Sequence, residues 1–421
     1  MTSTAPVTYV GLLRSLPALR RLWAGGAIST FGDAVQGVAL IWLATRTSSP
    51  GLSVSIIATA LYLPAVVIGP FAGTIADRLD RRCLLLTADV LRVATACLVP
   101  LAFTHAGLWL VVAITLVHSA LTALFNAAQT AALPDLTGPG SLVRANGLLS
   151  STNYAMQVVG PAVGGFLVAG TPTAVPFLLN AATFAFSAGA VLLIPAAALA
   201  GPARDGHVTF LADLRTGVRY ARHRPPIVLY MLIGIVATLG FSPAPVVLPA
   251  FATELDVGSV GFGLLSSLGG LGYAVGSVLV GMLVKPERAA TAMAVGFLAM
   301  GAATLALAVA PGLALAAVLV ALRSGCNAVT LVTGISMLQR IVPSALRGRI
   351  MTLTNSVQEL PRPFILPFAG VVVDTAGARW VFAAMGFFIM LSGVIAVAAR
   401  GTLQSAQDAE VAQTTEAGAA A

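Results

Sequence analysis

Apolar runs long enough to cross a hydrocarbon layer, for which a helix needs about 20 residues, recur along this chain with only short polar turns between them. No other feature constrains the fold as strongly. Inside lipid every backbone amide must find its partner within the protein, so a spanning segment is either a helix or a strand of a closed barrel. The runs are continuously apolar rather than alternating, which selects helices. Reading between polar breaks predicts twelve spans, near 22–45, 53–76, 83–105, 107–131, 147–170, 174–199, 227–251, 259–284, 289–310, 312–339, 350–374 and 379–399. Composition agrees: 58% of residues are hydrophobic and 9% charged, whereas soluble domains carry about 25% charge. That balance excludes a soluble enzyme, a secreted disulfide scaffold and a disordered chain.

The net charge of +8 comes almost wholly from arginine, Lys285 being the sole lysine. The arginines stand between apolar runs rather than in one patch, so nucleic acid is not the expected partner. With the N-terminus inside, eighteen basic residues fall on the cytoplasmic side and only Arg46 and Arg379 on the other, the asymmetry of the positive-inside rule. Both termini are then cytoplasmic, and the Arg-over-Lys bias with Ala/Gly richness fits the inner membrane of a high-GC bacterium. Cys83, Cys97 and Cys326 show no pairing or ligand spacing, so neither a disulfide nor a metal is expected.

The expected architecture is all-α, with two six-helix bundles related by a pseudo-twofold axis along the membrane normal. The N-terminal bundle covers 1–200, a cytoplasmic linker 201–226, the C-terminal bundle 227–400 and a disordered tail 401–421. Within the linker, Phe210, Leu214, Val218 and Ala221 recur at helical spacing with Arg215, Arg219 and Arg222 on other faces, the pattern of a helix resting on the inner lipid surface. The duplication shows as three matching offsets: Gly73-x-x-x-Asp77 with Gly281-x-x-x-Lys285, Pro161-x-x-Gly164 with Pro367-x-x-Gly370, and Pro134 with Pro343. Such repeats place a substrate site near the midplane, reached by alternating access.

Between the second and third runs the chain reads Gly73-Thr-Ile-Ala-Asp77-Arg78-Leu-Asp80-Arg81-Arg82. Asp77 is predicted to start the third helix, where a carboxylate suits the positive dipole end and can pair with Arg81. In the fifth run, Gly160-Pro161-Ala-Val-Gly164-Gly165 offers a proline kink and a flat small-residue face for a neighbouring bundle. The first stretch resembles the loop signature of the major facilitator superfamily, with Asp80 where a glycine is usual, an ending frequent among drug and siderophore exporters. The second is similar to that family's antiporter signature. The resemblance spans essentially the whole chain and implies roles. Gly73, Asp77, Arg78, Arg81 and Arg82 would latch the bundles outward-facing, with Asp89 and Arg92 as internal partners, and Gly160, Pro161, Gly164 and Gly165 would mark proton-driven export. His118 stands roughly where many drug antiporters carry an arginine.

Ionisable residues inside a span are costly and therefore candidate functional groups. At 1.5 Å per residue, Asp33 lies about 18 Å beyond Arg21, and Glu359 and Arg362 about 15 and 20 Å beyond Arg349. Arg323 and His118 lie at similar depth. Glu359 and Arg362 are spaced to pair, with Pro361, Pro363 and Pro367 interrupting their helix. Asp33 is the candidate proton or substrate contact, His118 a titratable or hydrogen-bonding neighbour, and Arg323 either a cross-bundle partner for Asp33 or an anion contact.

The expected function is secondary active, proton-coupled efflux of a small organic or amphiphilic compound by a monomer in the bilayer, without cofactor. The alternative is a proton-coupled importer of a small nutrient. Neither Gly-x-x-x-x-Gly-Lys-[Ser/Thr], His-Glu-x-x-His nor Gly-x-Ser-x-Gly occurs, which argues against ATP drive within this chain and against a membrane-embedded enzyme.

Overall fold

Helix follows helix with no strand among the described residues, which in this computed structural model are 9–138, 141–199, 210–343 and 346–419. In chain order the helices are α1 (Tyr9–Ser15), α2 (Pro17–Ala44), α3 (Pro50–Arg78), α4 (Arg81–His105), α5 (Leu108–Thr137), α6 (Leu142–Gly170), α7 (Val175–Leu192), α8 (Ala196–Leu199), α9 (Phe210–Arg222), α10 (Pro225–Phe241), α11 (Ala244–Glu254), α12 (Gly258–Leu283), α13 (Ala289–Leu307), α14 (Leu313–Ile341), α15 (Arg347–Glu359), α16 (Arg362–Ala376) and α17 (Ala378–Ala419). Proline opens α2, α7, α10, α11 and α16, where its missing N–H costs no helical hydrogen bond. Gly107 (φ 81) and Gly377 (φ 92) turn the chain between α4 and α5 and between α16 and α17, a conformation that a Cβ would strain.

Among the described residues ten segments are long and apolar enough to cross a membrane, α10 and α11 counting together. Two of the twelve expected spans fall short of that description. Helix α6 has the length, 29 residues, but Arg144, Asn146, Ser150, Asn153 and Gln157 fall along it between its start and Pro161. The run near 350–374 is broken into α15 and α16 at Leu360–Pro361, since Pro361 and Pro363 cannot continue the helical hydrogen-bond ladder.

Backbone contacts divide the chain into two units. The first comprises Met1–Arg46, Ile56–Gly206 and Phe262–Ser267; in it α2 packs on α6 and α7, and α4 on α5 and α7. The second comprises Thr47–Ser55, His207–Gly261 and Leu268–Ala421, with α17 packed on α10 and α13, and α13 on α14. The first turn of α3 belongs to the second unit for a direct reason. The Asp374 carboxylate accepts from Gly51 N at 2.6 Å and Leu52 N at 2.9 Å, satisfying amides that a helix start leaves open. Glu254 does the same for Ala378 N at 2.6 Å, at the start of α17.

Two expectations are corrected. The tail is helical as far as Ala419; it is rich in alanine with Glu and Gln, good helix formers, and its root is held by buried Leu403 and by Gln404 donating to Glu287 O at 3.2 Å. Asp77 does not start the third span. It lies in the last turn of α3, and Asp80 is the N-cap of α4, its Oδ1 accepting from Cys83 N at 2.7 Å. Asp80→Ala is expected to lower stability by about 1 kcal/mol, with Asp80→Asn retaining most of it. Thermal unfolding in detergent checks both.

Candidate functional site

Four helices of the first unit bring polar groups to one buried locus. Asp33 projects from α2, and its Oδ1 lies 3.4 Å from His118 Nε2 on α5 and accepts from Asn180 Nδ2 on α7 at 3.2 Å. Asn180 also donates to Gln36 Oε1 at 2.9 Å, and its own Oδ1 accepts from Thr183 at 2.9 Å, so the amide is held in one orientation. On the far side of the imidazole, Nδ1 meets Thr95 Oγ1 of α4 at 2.8 Å, and the Thr95 hydroxyl is also placed to donate to Arg92 O at 3.0 Å.

Arg92 and Asp89 share one face of α4, three residues apart, and form an ion pair with side-chain exposures of 1% and 0%. The guanidinium carbon lies over the rings of Phe125 and Phe184, at 4.1 and 4.4 Å from their centroids, contacts that stabilise a cation removed from water. Its Nη1 stands 4.0 Å from Asp33 Oδ2. Asp33 is the most open member at 28% exposure. It borders a cavity of about 230 Å³ that also touches His118 and Gln36, and a second of about 330 Å³ that also touches Arg92.

The small residues of the fifth run serve this site. A Cβ on Gly160 would stand 2.5 Å from that of Ala34, and one on Gly164 would stand 2.9 Å from Val35 O. Both glycines therefore admit the backbone of α2 beside Asp33, within the same unit rather than toward a second bundle. Gly165 instead faces Gly263, and α6 continues through Pro161 without interruption.

Of the loop residues, α3 runs through Gly73, Asp77 and Arg78, whose side chains lie outside the described residues. Arg81 is buried and pairs with Asp135 in the last turn of α5. Arg82 donates to Leu192 O at 2.8 Å and Arg21 to Leu193 O at 2.6 Å, so two guanidiniums satisfy carbonyls at the end of α7, where the helix dipole is negative. Asp89 pairs with Arg92, and Arg92 alone also stands near Asp33.

In the second unit Glu359 and Arg362 form an ion pair across the α15–α16 break, with Nε–Oε2 at 2.7 Å and Nη2 donating to Oε1 at 3.1 Å. They edge a cavity of about 270 Å³ whose other walls include Tyr230, Phe241, Phe297 and Asn327. Arg323, on α14, makes no ion pair among the described residues, and its Nε has no hydrogen-bond partner. The partners of Asp33 come from its own unit. Sequence reasoning passed over Asn180 and Thr95; a lone amide within the apolar run 174–199 is the signal that would have found Asn180.

The family model described as Major Facilitator Superfamily matches residues 22–366 and 230–417. Multidrug efflux pump Tap of Mycobacterium tuberculosis (strain ATCC 25618 / H37Rv) is 29% identical over 390 residues, 87% of this chain and 89% of that protein. Macrolide efflux protein A of Streptococcus pyogenes is 20% identical over 379 residues, 89% and 94% of the two chains. Among solved structures, a bacterial homologue of the iron transporter ferroportin superimposes with a TM-score of 0.74 at 15% identity, covering 91% of this chain and 99% of that one. The nucleoside transporter NupG gives 0.73 at 12% identity, covering 90% and 99%.

Gly164→Val is expected to destabilise the protein by about 1–3 kcal/mol through overpacking against α2. Gly170→Val, with nothing within 4 Å of its Cβ, should stay within about 0.5 kcal/mol. Paired melting curves in detergent test the contrast.

Proposed function

Because the chain belongs to the major facilitator superfamily, we propose that it is a twelve-span secondary transporter of a bacterial cell membrane that exports a small organic compound in exchange for protons. Helix α6 and the α15–α16 pair complete the ten apolar segments as fifth and eleventh spans. Their polarity and their break fit a membrane where they border a cavity, since irregular or polar backbone at that depth is tolerated against water or protein. The positive-inside asymmetry puts both termini in the cytoplasm. Export rather than import is supported by the efflux proteins to which the chain is similar.

One observation carries the proton assignment: two carboxylates, Asp33 and Asp89, share a single guanidinium, Arg92, beside a histidine. With a neutral imidazole the cluster holds one negative charge in excess, which one proton removes. When the Thr95 hydroxyl donates to Arg92 O, His118 Nδ1–H donates to Thr95. Nε2 and Asp33 Oδ1 then face each other as lone pairs, and the proton between them joins carboxylate to imidazole. A cationic group of the substrate at Asp33 meets the same need, so proton and substrate displace one another. Asp89, fully buried and paired, holds Arg92 in place as a positioning residue.

The loop Gly73–Arg82 acts in this reading as the cytoplasmic latch, with Arg81 on Asp135 and Arg82 on the end of α7 as its anchors. For a neutral substrate one proton suffices energetically, since a charge crossing 100 mV releases about 2.3 kcal/mol against about 1.4 kcal/mol for each tenfold of substrate gradient; one proton exchanged for a monocation moves no net charge, and the pH gradient alone then supplies about 1.4 kcal/mol per pH unit.

In an efflux-deficient host the chain is expected to raise resistance to ethidium or erythromycin several-fold, and a protonophore to abolish the gain. Asp33→Asn should remove it and His118→Gln reduce it at least about tenfold in initial efflux rate, the scale of losing a positioned proton acceptor. Glu359→Gln should retain most of the activity, because Glu359 is neutralised by Arg362. Unchanged efflux in both Asp33→Asn and His118→Gln sinks the proton assignment.

A further inference from the structure

Helix α9 is held to the second unit by its small residues. A Cβ on Gly217 would stand 3.5 Å from Leu353 Cδ2 and 3.7 Å from Arg349 O. Ala221, 4% exposed, belongs to the buried cluster that includes Ile227, Tyr230, Ile350 and Leu353, so this residue, expected to face lipid, is turned to protein. These neighbours lie in the first two turns of α10, which starts at Pro225, and of α15, which starts at Arg347. Only His223 and Arg224 separate α9 from α10. At about 1.5 Å per residue, α9 therefore lies within about 10 Å of the ends of two spans, the depth of the headgroup layer.

Going round α9, the surfaces follow in a set order. Gly217 and Ala221 face protein, and Val218 comes next at 45% exposure. At about 100° per residue, Arg222, Arg215 and Arg219 follow at about 40°, 60° and 100° from Val218, and all three are exposed. Protein contact, then an apolar edge, then cations is the cross-section of a helix lying in an interface with its arginines at the phosphates. None of the three forms an ion pair with a described residue; Arg222 Nε donates to His223 Nε2 at 3.0 Å. Asp213, the one acid of α9, stands two residues from Arg215, a spacing that does not face on a helix. Topology alone asks for basic residues anywhere in a loop. It does not gather three of them into a sector of about 60° on a helix fastened to two spans.

We propose that the arginine face of α9 is a docking surface for anionic phospholipid, with headgroup phosphates seated along Arg215, Arg219 and Arg222. A guanidinium presents a planar fork of donors that matches phosphate oxygens two at a time. Each arginine at an anionic membrane surface contributes about fivefold in affinity. A zwitterionic headgroup cancels much of that attraction with its own cation, so the surface selects phosphatidylglycerol over phosphatidylcholine. Because Gly217 sets α9 against α15, lipid held on α9 also braces the half-span that leads to the Glu359–Arg362 break. Which leaflet supplies the lipid rests on the membrane orientation proposed above; the selectivity does not.

The test uses the full-length protein in nanodiscs made from equal amounts of phosphatidylglycerol and phosphatidylcholine with matched chains, and native mass spectrometry reads the ratio of the two lipids retained. The wild-type protein is expected to retain phosphatidylglycerol over phosphatidylcholine by at least about tenfold. Arg215→Gln, Arg219→Gln and Arg222→Gln in one protein should cut that preference by at least about fivefold. The control, Lys285→Gln, Arg340→Gln and Arg400→Gln together, removes the same charge from exposed positions of the same unit and should keep most of the preference. No preference in the wild type overturns the proposal. So does an equal loss in the two triple variants, which leaves only the general charge bias of the loops. If glycerol 1-phosphate at about 10 mM, above the millimolar affinities of weak sites, abolishes the preference, the surface reads a soluble phosphate and the lipid assignment also falls. Should the α9 triple variant not fold, Arg219→Gln set against Arg340→Gln makes the same comparison. No transport or proton gradient enters the measurement, so its failure leaves the Asp33 exchange reading standing, and failure of exchange leaves the lipid ratio measurable.

Discussion

Charge taken out of water must be answered by charge or by hydrogen bonds, and in the first unit that requirement ties four helices together. Arg92 at 1% and Asp89 at 0% exposure are sustainable at membrane depth only as a pair, and the pair is further stabilised by the rings of Phe125 and Phe184 packed against the guanidinium. Asp33 on α2, His118 on α5 and Asn180 on α7 then close around it. Displacing any one helix would strand a buried polar group, so the cluster acts as an interlock for α2, α4, α5 and α7. The same packing sets how near α6 can come: Gly160 and Gly164 admit α2 at the residues following Asp33, which joins the small-residue motif to the acid physically.

The segments that are poorest as hydrocarbon-facing helices are those that border cavities. Helix α6 carries a row of polar side chains in place of apolar ones, and α15–α16 is interrupted by a proline break with the Glu359–Arg362 ion pair beside it. Each unit thereby contains a polar pocket next to an ion pair, yet the two differ in chemistry. The first is rich in amides with one partly open carboxylate. The second mixes Asn327 and Gln358 with the rings of Tyr230, Phe241 and Phe297, and its carboxylate is already neutralised. This asymmetry is why proton exchange is assigned to Asp33 rather than to Glu359.

Periodicity and solvation made much of this legible in advance. Most of the apolar runs can only be helices in lipid, and their edges are marked by arginines and prolines. Asp33, His118, Asp89 and Arg92 each stand out as ionisable groups in or near such runs. Their convergence does not, because residues separated by 85 or 147 positions, as His118 and Asn180 are from Asp33, meet only through helix packing. Asn180 and Thr95 look like ordinary polar residues of a span, and only their distances reveal that they orient Asp33 and His118. The assignment of Asp77 as a helix start failed for a local reason: Asp80 lies three residues before Cys83 N, the correct reach for a cap, and sequence spacing offered two aspartates for one position. The tail expected to be disordered is helical because helix-forming alanines extend a span already anchored at Leu403.

The amino-acid sequence alone determined that this chain lives in lipid, that it is helical, and which few charges enter the apolar depth, since these follow from transfer costs that each residue incurs independently of its neighbours. Tertiary structure decided which charges answer one another: that Arg92 serves Asp89 and Asp33, that Arg81 pairs with Asp135, and that Gly160 and Gly164 face α2. Those choices depend on the relative rotation of packed helices, and a turn of about 100° per residue places neighbouring residues on different surfaces, so they exist only once the helices have met.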